Sequence, residues 1–145
     1  MNAKLKIESV IENLDAAGLP EGDAEKNTVY VEGDFRLTDD GALISYTESG
    51  EGGSVDSTIT LSGCSVCVTR RGAIESEIHF TEGKEHRSVY SVPPYKFDAV
   101  VTTRRIRSLL SEDGGSLDLF YNMKIGGADK SARMKIWIST NSKHS

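Results

Sequence analysis

Apolar residues along most of this chain alternate with polar ones, in segments that end at Gly, Asp, Asn or Pro. The clearest segments are LDLFYNMKI, residues 117–125, and ARMKIWIST, residues 132–140, in which an apolar residue occupies every second position. A period of two is typical of β-strands that bury one face, and a helical period is scarce here. The sequence therefore predicts an all-β protein. In the last segment Trp137 falls on the face opposite the apolar one, so we expect it to be at least partly exposed or buried in an interface.

Turn segments such as TDDGA, TEGKE and SEDGGS divide the alternating pattern into about eight to ten strands. No segment supports a helical crossover, so consecutive strands are expected to pair antiparallel in an up-and-down order. Closing such a sheet into a barrel removes its exposed edges and encloses the apolar face. We therefore predict a single antiparallel up-and-down β-barrel, with a two-sheet β-sandwich as the alternative.

The long segment FDAVVTTRRIRSLL changes the parity of its apolar positions. Ala99 and Val101 are odd-numbered, whereas Ile106 and Leu110 are even-numbered. One face of a strand holds residues of one parity, so one extra residue must be absorbed in between. This predicts a β-bulge at residues 102–105.

The chain of 145 residues has the length of one domain, and we predict a single domain over residues 1–145. Its net charge of −5, from 17 basic and 22 acidic residues, opposes binding to nucleic acid or to an anionic membrane surface, so neither partner is predicted. The first residues, MNAKLKIESVIENLD, show no signal-peptide or membrane-spanning pattern. Only two cysteines are present, which fits a reducing compartment. We expect a cytoplasmic protein.

The segment RRGAIESEIHFTEGKEHRSVYSVPPY, followed by FDAVVTTRRI and EDGGSLDLFY, resembles the bacterial YwiB-type proteins, a family of uncharacterised calycin-like β-barrels. The resemblance covers essentially the whole chain. It departs from the family at YSVPPYKF, where the family tends to have Tyr-x-Thr-Pro-x-Gly. It implies a small calycin-like barrel similar to lipocalins and fatty-acid-binding proteins, and it brings no established activity. The matching positions are Arg70, Gly72, Ser76, Phe80, Gly83, His86, Tyr90 and Thr103.

Two patterns have the residue types of metal sites. Cys64 and Cys67 have the Cys-x-x-Cys spacing of zinc and redox sites, but no second cysteine pair accompanies them. Glu75, Glu77 and His79 share one face of a strand whose opposite face is apolar. We therefore expect two reduced thiols and a solvated polar face. No metal and no cofactor is predicted.

Hydrolytic catalysis has little support in the sequence. A serine hydrolase built on His86 with Ser76 or Ser88 would need a positioned nucleophile, and the Gly-x-Ser-x-Gly elbow is absent. Six arginines are candidates for an anion site, although arginines on strands usually lie on the wet face and pair with acidic neighbours, here Asp118 or Glu112. They are Arg70, Arg71, Arg87, Arg104, Arg105 and Arg107.

Alternation places Arg70, Ser76, Thr103 and Tyr121 on otherwise apolar faces, and hence inside a barrel. Buried polar groups need partners, so these four either satisfy one another or leave donors for a ligand. In the second case they would converge with Tyr90 and His86 at the mouth of the barrel. The candidate ligand-binding residues are Arg70, Ser76, His86, Tyr90, Thr103 and Tyr121.

The function that this pattern favours is non-enzymatic binding of a small, partly apolar ligand in or at the mouth of the barrel. An interior filled by Phe35, Phe80, Leu119 and Met134 would exclude a ligand there. One alternative is a structural or interaction module that acts through its outer surface. A weaker alternative is an enzyme that acts on an anionic small molecule through arginine and histidine. The ligand and the oligomeric state stay open.

Overall fold

The fold is described by a computed structural model that covers residues 1–50 and 52–140. Every regular element in these ranges is a β-strand, as predicted. No helix in the described ranges is long and apolar enough to cross a membrane. The strands are β1 (Asn2–Leu14), β2 (Pro20–Leu37), β3 (Gly41–Gly50), β4 (Gly53–Ser62), β5 (Ser65–Gly72), β6 (Glu75–Thr81), β7 (Glu85–Val92), β8 (Tyr95–Ser111), β9 (Gly114–Ile125) and β10 (Ala128–Thr140).

The strands form one closed antiparallel barrel in which each pairs with its neighbours in sequence. The barrel closes where β1 pairs with β10, for example at Ile7 opposite Ile136. Closure leaves no second sheet, so the predicted up-and-down barrel is confirmed and the β-sandwich is excluded. In a meander the turns alternate between two ends. We call the end with the β3–β4, β5–β6 and β7–β8 turns the upper end of the barrel.

Side chains on the inner face of the barrel fill its middle. Phe35, Phe80, Leu119 and Met134 are all buried, and they belong to one continuous core. Close-packed side chains of this size leave no room for a ligand between them. Any ligand space is therefore confined to the ends of the barrel. Other large members of the core are Leu5, Ile44, Ile59, Val66, Val101, Leu117 and Ile136.

The predicted bulge lies in β8. Thr103 is opposite Tyr121 and Arg105 is opposite Phe120, so Arg104 is the extra residue. After the bulge, the Ile106 N–H donates a hydrogen bond to Glu82 Oε2 at 2.7 Å. A carboxylate in the β6–β7 turn thus satisfies a backbone donor in the irregular part of β8.

The barrel has a gap between β6 and β7, which we call the seam. β6 and β7 pair only at Glu75 with Ser91 and at Ser76 with Tyr90. Farther down, the β6–β7 turn binds β8 instead, because Gly83 N donates to Thr103 O at 2.8 Å. At the upper end β7 and β8 are joined by two prolines, with a cis peptide bond between Pro93 and Pro94. β6 and β7 therefore separate below their upper pairs.

Trp137 lies on the outer face of β10 and is partly exposed, as predicted. Its strand neighbours Ile136 and Ile138 are buried. The cationic groups of Lys6 and Lys135 lie over its ring, at 4.6 and 4.9 Å from the centroid. The register assigned to the last strand is therefore confirmed.

Candidate functional site

A row of polar side chains crosses five strands on the inner face near the upper end. Each residue of the row is directly opposite the next in the antiparallel register. The row places two phenols, two hydroxyls and one guanidinium on a continuous inner surface. We call it the mouth cluster; it consists of Tyr46, Ser57, Arg70, Ser76 and Tyr90.

The side chains of the mouth cluster point into the barrel because they have the same strand parity as the core residues. Tyr46 follows buried Ile44 by two positions, and Arg70 follows buried Val68 by two positions. Burial varies along the row: Tyr46, Ser57 and Ser76 are buried, whereas Arg70 and Tyr90 are half-buried. The cluster therefore lies at the boundary between the packed interior and solvent.

The aromatic ring of Phe97 extends this boundary onto β8. Phe97 is opposite Tyr90, and 40% of its surface is exposed although its parity is that of the inner face. Exposed aromatic surface beside half-buried polar groups gives the upper end both apolar and polar contact area.

Arg70 is the positive charge of the mouth cluster. Burial raises the pKa of Tyr46 above its ordinary value, and the Arg70 guanidinium and the Ser57 side chain partly oppose this shift. Burial likewise raises the pKa of Tyr121, and again Arg70 opposes the shift. The charge of Arg70 therefore acts on both phenols, one on β3 and one on β9. Within residues 1–50 and 52–140, no ion pair joins Arg70 to a carboxylate.

Four inner hydroxyls have no hydrogen-bond partner among the described residues. They are Ser57 Oγ, Ser76 Oγ, Ser88 Oγ and Thr103 Oγ1, and all four atoms are buried. The polar residues inside the barrel therefore do not all satisfy one another. A buried hydroxyl without a partner costs about 1–3 kcal/mol, so these atoms are available to a ligand or to water.

Five of the six predicted site residues lie on the inner face of the barrel. Arg70, Ser76 and Tyr90 are adjacent in the mouth cluster. The charge of Arg70 acts on the phenol of Tyr121. The ring of Tyr121 packs edge-on against that of Phe80, with ring centroids 4.9 Å apart. Thr103 is opposite Tyr121 in the β8–β9 ladder.

His86 is the sixth predicted residue, and the structure places it apart from the other five. Its Nε2 lies 3.3 Å from Thr81 Oγ1. Its ring centroid is 5.9 Å from that of His79, an exposed residue. Thr81 and His79 both lie near the C-terminal end of β6, which is the end opposite the mouth cluster.

The six arginines do not form a common anion site. Arg104, Arg105 and Arg107 are exposed, as expected for a wet face, but they do not pair with Asp118. Asp118 is buried and pairs with Arg133 at 3.2 Å and with Lys135 at 3.6 Å. The expected pairing of Asp118 with the arginines of RRIR is therefore wrong, since its ion-pair partners among the described residues are two cations of the adjacent strand β10.

Tyr46 and Ser57 were not among the site residues predicted from the sequence. Both could have been found by the parity argument that identified Ser76, since Tyr46 follows Ile44 and Ser57 precedes Ile59 by two positions. They become part of one site only through the registers of β3 with β4 and of β4 with β5.

Two open clefts lie on the outer surface of the barrel next to the mouth cluster. One, of about 250 Å³, lies at the seam between β6 and β7, and outward-facing Glu75, Glu77 and Val89 are among its lining residues. The other, of about 350 Å³, lies over β2, β3 and β4, and outward-facing Ser45 and Thr47 are among its lining residues. Both linings consist mainly of residues of the outer face.

Comparison with known proteins supports the resemblance found in the sequence. The family model described as "Domain of unknown function (DUF1934)" matches residues 16–138. The uncharacterized beta-barrel protein YwiB of Bacillus subtilis (strain 168) is 25% identical over 122 residues, which are 84% of this chain and 81% of the relative. The crystal structure of the ywiB protein from Bacillus subtilis has a TM-score of 0.78 at 24% identity, and the match covers 96% of this chain and 92% of that chain. The likeness between the structures supports the barrel fold.

Proposed function

This chain belongs to the DUF1934 family, whose function is unknown, and we propose that it binds a small, partly apolar ligand at the upper end of the barrel without catalysing a reaction. The ligand carries an anionic head group, such as a carboxylate, which contacts Arg70. Its apolar part lies against the aromatic rim formed by Tyr90 and Phe97.

The observation that carries the proposal is a half-buried arginine without a carboxylate partner beside a buried hydroxyl without a hydrogen-bond partner. Withdrawing a guanidinium from water is costly unless an anion and hydrogen bonds compensate for the lost hydration. Arg70 and Ser76 are opposite each other, so one anionic group can contact both. The mouth cluster therefore has the composition of an anion-binding site.

The packed interior limits the size and the position of the ligand. Phe35 and Phe80 are buried to 1% and 2% exposure, so a long chain cannot extend into the middle of the barrel. The apolar contacts available to a ligand lie at the rim, where Phe97 is exposed. We expect a compact ligand whose apolar part is short.

We propose binding without catalysis because the mouth cluster does not place a nucleophile beside a general base. Its titratable groups are two phenols and a guanidinium, which do not accept protons readily near neutral pH. His86, the imidazole that a hydrolase would need, lies beside Thr81 instead.

Mass spectrometry of the native protein, purified without denaturation, tests the proposal. We expect a bound anionic small molecule that leaves on mild unfolding. After the ligand is identified, its affinity is compared in Arg70→Gln and in Arg71→Gln, a matched control on the exposed neighbour. The first substitution should weaken binding at least about tenfold, since it removes a charge-assisted contact, and the second should have no effect.

Two results would overturn the proposal. The first is that no small molecule co-purifies and none from a panel of amphipathic carboxylates binds. The second is that both arginine variants retain full affinity for the ligand. If, in addition, a protein partner is captured by the wild type and lost on substitution of outer-face residues, the interaction module becomes the favoured function.

A further inference from the structure

Three residues with metal-binding side chains meet on the outer face of β5 and β6, away from the mouth cluster. One ligand atom from each of Cys67, Glu77 and His79 lies within 4.8 Å of the others. Cys67 is directly opposite His79 in the β5–β6 ladder, and Glu77 is two positions before His79 on the same face. We propose that these three residues bind a zinc ion.

The three side chains point outward because their strand neighbours point inward. Val66 and Val68 flank Cys67 and are buried. Glu77 and His79 are exposed, and Cys67 is half-buried. A metal ion can therefore reach the site from solvent, while the paired backbones of β5 and β6 hold the ligands in fixed relative positions.

The ligand types fit zinc better than the other common divalent ions. Thiolate, imidazole and carboxylate all bind Zn²⁺, whereas Mg²⁺ and Ca²⁺ take oxygen ligands and disfavour sulfur. Three protein ligands with an open fourth position are an arrangement that Zn²⁺ commonly adopts. The site is distinct from the Cys-x-x-Cys spacing, since Cys64 lies in the exposed β4–β5 turn.

The spacing of the ligand atoms requires only small movements. His79 Nε2 and Glu77 Oε2 are 2.9 Å apart and share a hydrogen bond. Two such atoms on one tetrahedral zinc are about 3.4 Å apart, given metal–ligand distances near 2.1 Å. The metal would thus replace the shared proton, and the two atoms would move apart by about half an ångström. The Cys67 Sγ would move away from its contact with Thr69 and towards the metal.

His86 is placed to supply the fourth ligand. Its ring centroid is 5.9 Å from that of His79. Two imidazoles on one tetrahedral zinc have centroids about 5 Å apart, from the same bond lengths and angles. A rotation of the His86 side chain away from Thr81 would bring it to the metal. This gives a role to His86, the predicted site residue that lies apart from the other five.

Titration of the chelator-treated full-length protein with zinc chloride tests the site. We expect one zinc ion per chain, bound by the wild type. Cys67→Ser and His79→Gln should each weaken binding at least about 100-fold, since even groups that only orient a ligand are worth about 10–100-fold. His86→Gln should have a smaller effect, of about tenfold.

Two matched controls use the neighbouring residues of the same types. Cys64→Ser keeps Cys67, and Glu75→Gln keeps Glu77, so both should bind zinc as the wild type does. Cobalt binding gives a second signal: the wild type and Cys64→Ser should show the near-ultraviolet band of a thiolate–cobalt bond, and Cys67→Ser should not. Circular dichroism checks that each variant is folded, and Arg70→Gln should leave zinc binding unchanged.

The proposal is overturned if the folded wild type shows no saturable zinc binding. It is also overturned if Cys67→Ser and His79→Gln both bind zinc with wild-type affinity. Loss of binding in Cys64→Ser to the same degree as in Cys67→Ser would place the metal in the β4–β5 turn and refute the site on the sheet.

Discussion

Arg70 and Ser76 are opposite each other across the β5–β6 ladder inside the barrel, and the Ser76 hydroxyl has no hydrogen-bond partner among the described residues. Neighbouring polar groups that leave each other unsatisfied distinguish a binding site from a structural network. In a network each hydroxyl would stabilise the free protein; in a binding site its contribution appears when the ligand is bound.

Replacement of Ser76 with Ala should therefore not lower the free energy of unfolding, and should raise it by up to about 1–3 kcal/mol, since no hydrogen bond is lost and the cost of the unpartnered hydroxyl is removed. The matched control is Ser65→Ala in the adjacent strand, because Ser65 Oγ and Thr81 Oγ1 are 3.0 Å apart and hydrogen-bonded. That substitution should cost about 1 kcal/mol. Urea unfolding of both variants measures the difference. An equal loss in Ser76→Ala would mean that the mouth cluster is a structural network.

Glu82 should stabilise the β8 bulge. Its carboxylate accepts the Ile106 N–H at 2.7 Å, and Glu82→Ala removes that acceptor. We expect a loss of about 1 kcal/mol of unfolding free energy and faster hydrogen exchange at the Ile106 amide. Glu82→Gln keeps an oxygen acceptor and should lose less. Glu85→Ala, at an exposed position in β7, is the control. If the Ile106 amide exchanges at the same rate in wild type and Glu82→Ala, the bulge is held in some other way.

The fold could be predicted because strand alternation repeats along the whole chain. Residues 117–125 and 132–140 each place one parity on a single face, and the two segments pair antiparallel with their apolar residues opposite one another. The bulge was also predictable, because a change of parity between Val101 and Ile106 has no other solution in a continuous strand. Local pattern was sufficient in both cases.

The sites could be predicted only in part, because they depend on register and on side-chain direction. Parity put Arg70 and Ser76 on the inner face, but it could not show that His86 turns towards Thr81. It assigned Glu77 and His79 to the outer face and gave no indication of Cys67, which lies on another strand. The β5–β6 register that places Cys67 opposite His79 joins residues that are separated by a turn. This register could have been found by placing the apolar residues Val66 and Phe80 opposite each other.

Trp137 should be quenched more strongly by iodide than by caesium. It is the single tryptophan of the chain, it is partly exposed, and the amino groups of Lys6 and Lys135 lie over its ring. Two positive charges concentrate anions near the ring and repel cations. Lys6→Gln should lower the iodide Stern–Volmer constant, and Lys124→Gln on the exposed surface of β9 should not. A strongly blue-shifted, unquenchable emission from the monomer would contradict the register of β10.

The buried tyrosines link the mouth cluster to the stability of the barrel at alkaline pH. Burial raises the pKa of Tyr46 and of Tyr121 above the ordinary value of 10.0. In the unfolded chain both phenols ionise near pH 10, whereas in the barrel they keep their protons to a higher pH. Their contribution to stability is therefore complete below about pH 10 and is lost as pH rises from there through the raised values.

Arg70→Gln should move the ionisation of these two phenols to still higher pH. The Arg70 guanidinium lowers the pKa of both Tyr46 and Tyr121, so its removal leaves burial unopposed. Phenolate absorbance recorded during an alkaline titration should show the late-titrating component shifted upward in Arg70→Gln and unchanged in Arg71→Gln. In Tyr121→Phe the late-titrating component should shrink. The fall in unfolding free energy above about pH 10 should also become shallower, because Tyr46 is then the one remaining phenol of this pair whose pKa folding raises. If Arg70→Gln titrates like the wild type, the guanidinium does not approach the phenols, and the arrangement of the mouth cluster around Arg70 is wrong.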